Sequence, residues 1–157
     1  MRVISGMTAI LLAGAIVAPA SAVPGPALFA QRCAMCHQAD GNGLPSQFPR
    51  LAGRVATIAQ TPGGRHYLAL VLLNGMVGTI KADDQTIAGL MPSMAALKDQ
   101  EIADLLNHAA GLRPPTKGKK PAPFTAAEIA AVRAGGTIGA SAVAGERAKL
   151  AASGAIP

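Results

Sequence analysis

The sequence is short of the residues that usually fill a small core. Its 157 residues include no tryptophan, one tyrosine and three phenylalanines. A small domain has little interior to spare, so a fold built with so few aromatics needs another source of buried apolar surface. Cysteine is equally scarce, with Cys33 and Cys36 the only two. A structural zinc site needs further thiols or imidazoles close by, and no other cysteine exists to supply them. No strand–helix–strand pattern surrounds the pair, which removes a thioredoxin-like setting. No apolar run reaches the roughly 20 residues of a bilayer span, and there is no internal repeat. The formal charge is +6 with a pI near 9.9, but that surplus is unevenly placed.

What the chain does contain is Cys33-Ala34-Met35-Cys36-His37, a C-x-x-C-H sequence. This is the attachment spacing for c-type haem. Two thiols three positions apart can each add to one vinyl group of the same porphyrin. The histidine directly after the second thiol lies under the iron and offers a ring nitrogen as axial ligand. A buried porphyrin also supplies the missing apolar surface. The remaining rival is a structural disulfide, which an oxidising compartment would favour. His37 and an export signal upstream select haem instead.

That signal occupies residues 1–22. Arg2 is its basic start, Ile10 to Ala18 its apolar centre, and Ala20-Ser21-Ala22 its small-x-small cleavage site, which makes Val23 the expected first residue of the exported chain. No cysteine follows to carry a lipid, so no permanent membrane anchor is expected and the location read from the sequence is the bacterial periplasm.

Residues 23–112 read as one compact haem domain with a balanced charge. Arg32, Arg50, Arg54, Arg65, Lys81 and Lys98 face Asp40, Asp83, Asp84, Asp99, Glu101 and Asp104, six against six. The surplus lies in the tail, where Arg113, Lys117, Lys119, Lys120, Arg133, Arg147 and Lys149 oppose Glu128 and Glu146; seven against two leaves +5. Residues 113–123, with Pro114, Pro115, Pro121 and Pro123, read as a basic linker. Residues 124–157 read as a helical tail that opens on the T-x-x-E box of Thr125 and Glu128, with a second helix over 142–152. Two roles stay open for this tail, a solvated linker or a docking arm, and in both, truncation after Leu112 is expected to spare the haem site.

The fold class that follows is mainly all-α. A first helix starts near Pro26 and runs into the haem motif, and residues 40–45 form a loop. A short apolar helix covers 67–74 and stops at Gly75. Residues 79–82 and 85–88 can pair as a small hairpin across Asp83-Asp84, and 89–92 read as irregular. A last core helix, N-capped by Asp99, buries Ile102, Leu105, Leu106 and Ala109 and ends at Gly111.

The second axial position needs a sulfur or nitrogen donor from elsewhere. Met76, Met91, Met94, His66 and His108 are the candidates. Met91 is best placed, because Pro92 holds it extended and lets its side chain leave a loop. A thioether is a soft, neutral donor suited to haem iron. Met76 and Met94 fit better as flexible core fillers, although a shifted loop would present Met94.

These residues resemble the class I, monohaem cytochrome c family over residues 25–112. Gly25 and Phe29 match its G-x-x-x-aromatic first helix, Cys33, Cys36 and His37 its haem motif, and Pro49-Arg50-Leu51-Ala52-Gly53 its P-x-L-x-G segment. Met91-Pro92, Leu97 and residues 101–107 match its methionine loop and last helix. The resemblance implies one covalent haem c held by Cys33 and Cys36, iron ligated by His37 and Met91, and a Pro49 carbonyl that accepts a hydrogen bond from His37. His108 stands where the family has an aromatic packed against the N-terminal glycine, which implies a packing role. The implied function is one-electron transfer rather than catalysis, as a free shuttle or a dehydrogenase subunit. Its partners would be a periplasmic dehydrogenase, a terminal oxidase or both, and not nucleic acid. The hairpin before Met91 and the capped tail helix look like cytochrome subunits of periplasmic dehydrogenases. The rival class is a haem enzyme or gas sensor with an open iron site.

Overall fold

The computed structural model describes residues 24–157; the expected export signal falls outside them. The elements run α1 (Gly25–Arg32), α2 (Ala34–His37), α3 (Arg54–Ile58), α4 (Pro62–Asn74), β1 (Met76–Ala82), β2 (Gln85–Met91), α5 (Asp99–Gly111), α6 (Ala126–Ala134) and α7 (Ala140–Ala152). Among the described residues the chain is mainly helical with one two-stranded antiparallel sheet, as its sequence implies.

Two amphipathic helices make the first half of the frame. Pro26 sits in the first turn of α1, which buries Gly25, Leu28 and Phe29 on one stripe. Helix α5 buries Ile102, Ala103, Leu105, Leu106 and Ala109. Its N-cap is Lys98 rather than the expected Asp99. The Lys98 amide donates to the Glu101 carboxylate at 2.8 Å. The Asp99 carboxylate is drawn away instead to accept from Arg133 Nε at 2.8 Å, a partner 34 residues on that local sequence cannot announce.

Helices α1 and α5 cross at Gly25. A Cβ built there would lie 2.5 Å from the Asp104 carbonyl oxygen. One turn further along, the Phe29 and His108 rings meet at 4.9 Å and 60°. His108 therefore packs in the aromatic position. Gly25→Ala is expected to push the helices apart at a cost of about 1–3 kcal/mol, read as a lower denaturant midpoint with an unchanged slope. A midpoint equal to wild type would mean that the crossing yields freely.

Helix α4 starts earlier than its apolar run suggests. Thr61 Oγ1 accepts from the Gly64 amide at 3.0 Å and Pro62 occupies the first turn, so the helix gains a capped start that hydropathy alone misses. Every residue from Tyr67 to Leu73 is buried, which makes α4 the central element. It ends at Gly75, where φ is +71° and an added Cβ would meet the Met91 carbonyl oxygen at 2.6 Å. Gly75 thus turns the chain into β1 hard against the end of β2.

The hairpin is longer than expected. Its register runs from Ala82↔Gln85 back to Met76↔Met91, with Asp83 and Asp84 at φ +51° and +62° in the two-residue turn, the signs of a type I′ turn. Gly89, Leu90 and Met91, read from sequence as irregular, are therefore strand. The opposed pair Gly78↔Gly89 weakens the strand signal in both arms without breaking the ladder.

The tail is the larger correction, since it is no free arm. The Thr116 amide donates to Thr57 Oγ1 at 2.9 Å, and Arg65 donates to the Ala122 carbonyl at 2.8 Å. Asn107 exchanges two hydrogen bonds with the Phe124 backbone at 2.7 and 2.9 Å. Beyond the linker, Phe124, Ile129, Val143 and Ile156 are buried in the same hydrophobic cluster as α1, α4 and α5, and α7 lies against β1 and α4. Much of the tail charge is also spent inward. Arg133 pairs with Asp99, Glu128 with Arg65 at 2.6 Å, and Arg147 is only 4% exposed.

Candidate haem site

The cysteines sit where α1 gives way to α2. The His37 and Cys36 amides both donate to the Cys33 carbonyl, at 2.8 and 3.2 Å, so one turn carries both thiols and the imidazole. Both cysteines are free. Burial, then the neighbouring Cys36, pushes the Cys33 thiol up to about 11. A thioredoxin-type pair needs a thiol with a depressed pKa; this environment does the opposite.

His37 is buried, and its Nδ1 donates to the Pro49 carbonyl oxygen at 2.9 Å. With Nδ1 engaged as donor, Nε2 keeps the free lone pair, the tautomer a metal ligand needs. Burial lowers the His37 pKa more than the Pro49 carbonyl raises it, which favours the neutral ring. The loop that delivers Pro49 is tied back to the motif, since the Gly43 amide donates to the His37 carbonyl at 2.9 Å.

A cavity opens beside this turn in two overlapping lobes. The inner one, about 770 Å³ of free space with its mouth, runs from Cys33 and His37 to Tyr67 and the α4–α5 core. The outer one, about 820 Å³ with its mouth, runs along Cys36 and the hairpin. Cys33, His37, Pro49, Met76, Ile80 and Met91 line both.

The five candidate axial donors separate here. His66 and His108 line neither lobe, and Met94 lines only the outer one. Met76 and Met91 reach both, paired across the open end of the hairpin. They differ in one contact: the Tyr67 hydroxyl donates to the Met76 sulfur at 3.5 Å. Tyr67 and the cavity-lining arginines Arg54 and Arg147 did not stand out in the sequence. Arg147 in particular lies 66 residues from Lys81, whose carbonyl it holds, and no local pattern marks it. The fit to a covalently attached haem is good, with two reduced thiols, a neutral imidazole on the same turn and an apolar slot alongside.

A helical fold built round such a slot defines a protein that carries covalent haem. Comparison with known proteins agrees. A cytochrome c family model matches residues 22–113. Over 131 residues the chain is 47% identical to a cytochrome c-552 of Thermus thermophilus, covering 82% of this chain and 84% of that protein. That match reaches past residue 113, into the segment outside the family model. The chain is also 31% identical to the cytochrome c subunit of a quinone alcohol dehydrogenase from Gluconacetobacter polyoxogenes, over 72% of this chain but 23% of that protein. The chain belongs to the cytochrome c family, whose members are electron carriers with covalently bound haem c. No helix among the described residues is long and apolar enough to cross a membrane.

Proposed function

We propose that this cytochrome c is an exported, periplasmic one-electron carrier with a His/Met-ligated iron. Cys33 and Cys36 would hold the haem covalently, His37 and Met91 would ligate its iron, and Pro49 would orient His37. Bound haem supplies the one-electron Fe(III)/Fe(II) couple. The residues set its terms. The Pro49 carbonyl fixes the imidazole tautomer and raises its basicity as a donor. The Met91 thioether, a weak and soft donor, favours the ferrous state. The apolar walls exclude water and lower the local dielectric, which disfavours the additional charge of ferric iron.

The observation that carries this reading is the 2.9 Å His37–Pro49 hydrogen bond beside a cavity shared by Cys33 and Met91. The likeness to a dehydrogenase subunit supports a periplasmic dehydrogenase as electron donor, with a terminal oxidase as one acceptor. On this reading residues 1–22 are the signal removed on export, leaving Val23 as the first residue.

Acid–organic extraction of the exported protein tests the attachment. Haem is expected to stay with the polypeptide, and to extract fully from the double variant Cys33→Ala/Cys36→Ala. Free extraction from the wild type would overturn the covalent assignment.

A further inference from the structure

Of the seven cations in the C-terminal segment, three are taken up by the fold. Arg133 pairs with Asp99 and Lys149 with Glu146, and Arg147 is buried. The other four, Arg113, Lys117, Lys119 and Lys120, fall within eight residues and are all exposed. None of them enters an ion pair among the described residues. Glu128, the next acid along the chain, is already held by Arg65 at 2.6 Å.

These cations stand on a backbone that is tied down along its inner side. The Thr116 amide and hydroxyl both reach Thr57 Oγ1, at 2.9 and 3.0 Å. Gln60 Nε2 donates to the Lys117 carbonyl. Gly118 turns there at φ +79°, where an added Cβ would run into the Gln60 side chain. Pro114, Pro115, Pro121 and Pro123 restrict the chain on either side of these anchors. Lys119 and Lys120 also border a surface cleft that Gln60 and Pro121 share. No residue of 113–123 lines either lobe of the haem cavity, and residues 114–123 lie beyond those that the family model matches.

We propose that residues 113–120 form a docking surface for the acidic face of a folded protein partner, separate from the haem cavity. The surface lies outside that cavity, so the proposal holds whichever residue ligates the iron. Charge complementarity selects the partner's sign, since four unpaired cations attract carboxylates and repel a basic face. Fixed geometry selects a folded partner over an anionic lipid surface. A fluid bilayer attracts lysines at any spacing, whereas charges already held in place lose less freedom when they meet a rigid face. Interfacial lipid binding also needs apolar side chains beside the cations. The exposed large apolar residues are Met35, Leu44, Val77 and Leu90, none of them in this segment. A partner seated on 113–120 leaves the cavity mouth along Cys36 and the hairpin uncovered.

Titration of the nitrogen-15-labelled, reduced holoprotein tests this with two probes: a helical peptide carrying glutamates along one face, and phosphatidylglycerol vesicles. The peptide is expected to shift the amides of Thr116, Lys117, Lys119 and Lys120, and to bind more weakly as salt screens exposed charge. The triple variant Lys117→Gln/Lys119→Gln/Lys120→Gln is expected to weaken it about tenfold. A control, Lys81→Gln/Lys98→Gln/Lys149→Gln, loses the same charge from exposed positions elsewhere and is expected to stay within about twofold of wild type. Thr57→Ala/Gln60→Ala keeps every cation but frees the backbone, and is expected to weaken the peptide about threefold. Equal losses in the two triple variants would reduce the effect to net charge and overturn the surface. Amide shifts confined to the cavity mouth, or wild-type affinity in Thr57→Ala/Gln60→Ala, would overturn it too. Tighter binding to the vesicles than to the peptide, lost in the Lys117/Lys119/Lys120 variant, would make the occupant a lipid surface and overturn the protein partner.

Discussion

Ending the chain after Leu112 is expected to leave a protein that no longer holds a native haem environment at room temperature. The truncation strips Phe124, Ile129, Val143 and Ile156 out of the main hydrophobic cluster. At about 1.5–3 kcal/mol for each fully buried large apolar side chain, the loss is about 6–12 kcal/mol. That rivals the whole stability of an ordinary domain, about 5–15 kcal/mol. It also removes the Arg65–Glu128 pair, the Arg133 bonds to the start of α5, and the packing of α7 on β1. The hairpin would lose its outer support, and Met91 lies at the end of that hairpin. The measurement is a denaturant midpoint together with the methionine–iron band. A truncated protein with the wild-type band and midpoint would show that 113–157 is a dispensable appendage.

Met91→Ala is expected to abolish the methionine–iron band, open the iron to carbon monoxide at neutral pH, and lower the reduction potential, because ferrous iron loses its soft donor. The fold should survive. Met91 is only partly buried, so its truncation belongs near the low end of the 2–5 kcal/mol seen for Met→Ala in cores, about 2 kcal/mol. Met91→His should give a bis-histidine, low-spin haem of lower potential. Met76→Ala is the sharpest control, since Met76 lines the same two lobes. Its sulfur is engaged by Tyr67 at 3.5 Å, and its variant should keep the band. Met94→Ala should keep it as well. Loss of the band from Met76→Ala or Met94→Ala, with the band intact in Met91→Ala, would move the ligand to that residue.

The sequence by itself determined what depends on local spacing. C-x-x-C-H places two thiols and an imidazole on one turn whatever surrounds it. The 3.6-residue periodicity of α1 and α5 fixes which faces they bury, and Asp83-Asp84 between alternating residues marks a hairpin. The family resemblance pointed to Pro49 as the acceptor for His37, and the 2.9 Å bond lies there.

Tertiary structure decided whatever depends on partners distant in the chain. Proline and lysine make 113–123 look like solvated linker, because composition reports what a segment would do alone. Its backbone is held by Thr57 and Arg65, contacts 59 and 57 residues away. Arg147 counts as one more surface charge in a sum over the sequence. Only the packing of α7 on β1 and α4 takes it out of water and sets it beside Arg54 in the cavity wall. The choice among the methionines follows the same division. Pro92 singles out Met91 in the sequence and leaves Met76 and Met94 as core fillers, whereas the turn at Gly75 and the strand register bring Met76 to the cavity beside Met91 and leave Met94 at its outer rim. Short-range sterics and periodicity are written residue by residue; which buried group meets which is a property of the closed chain.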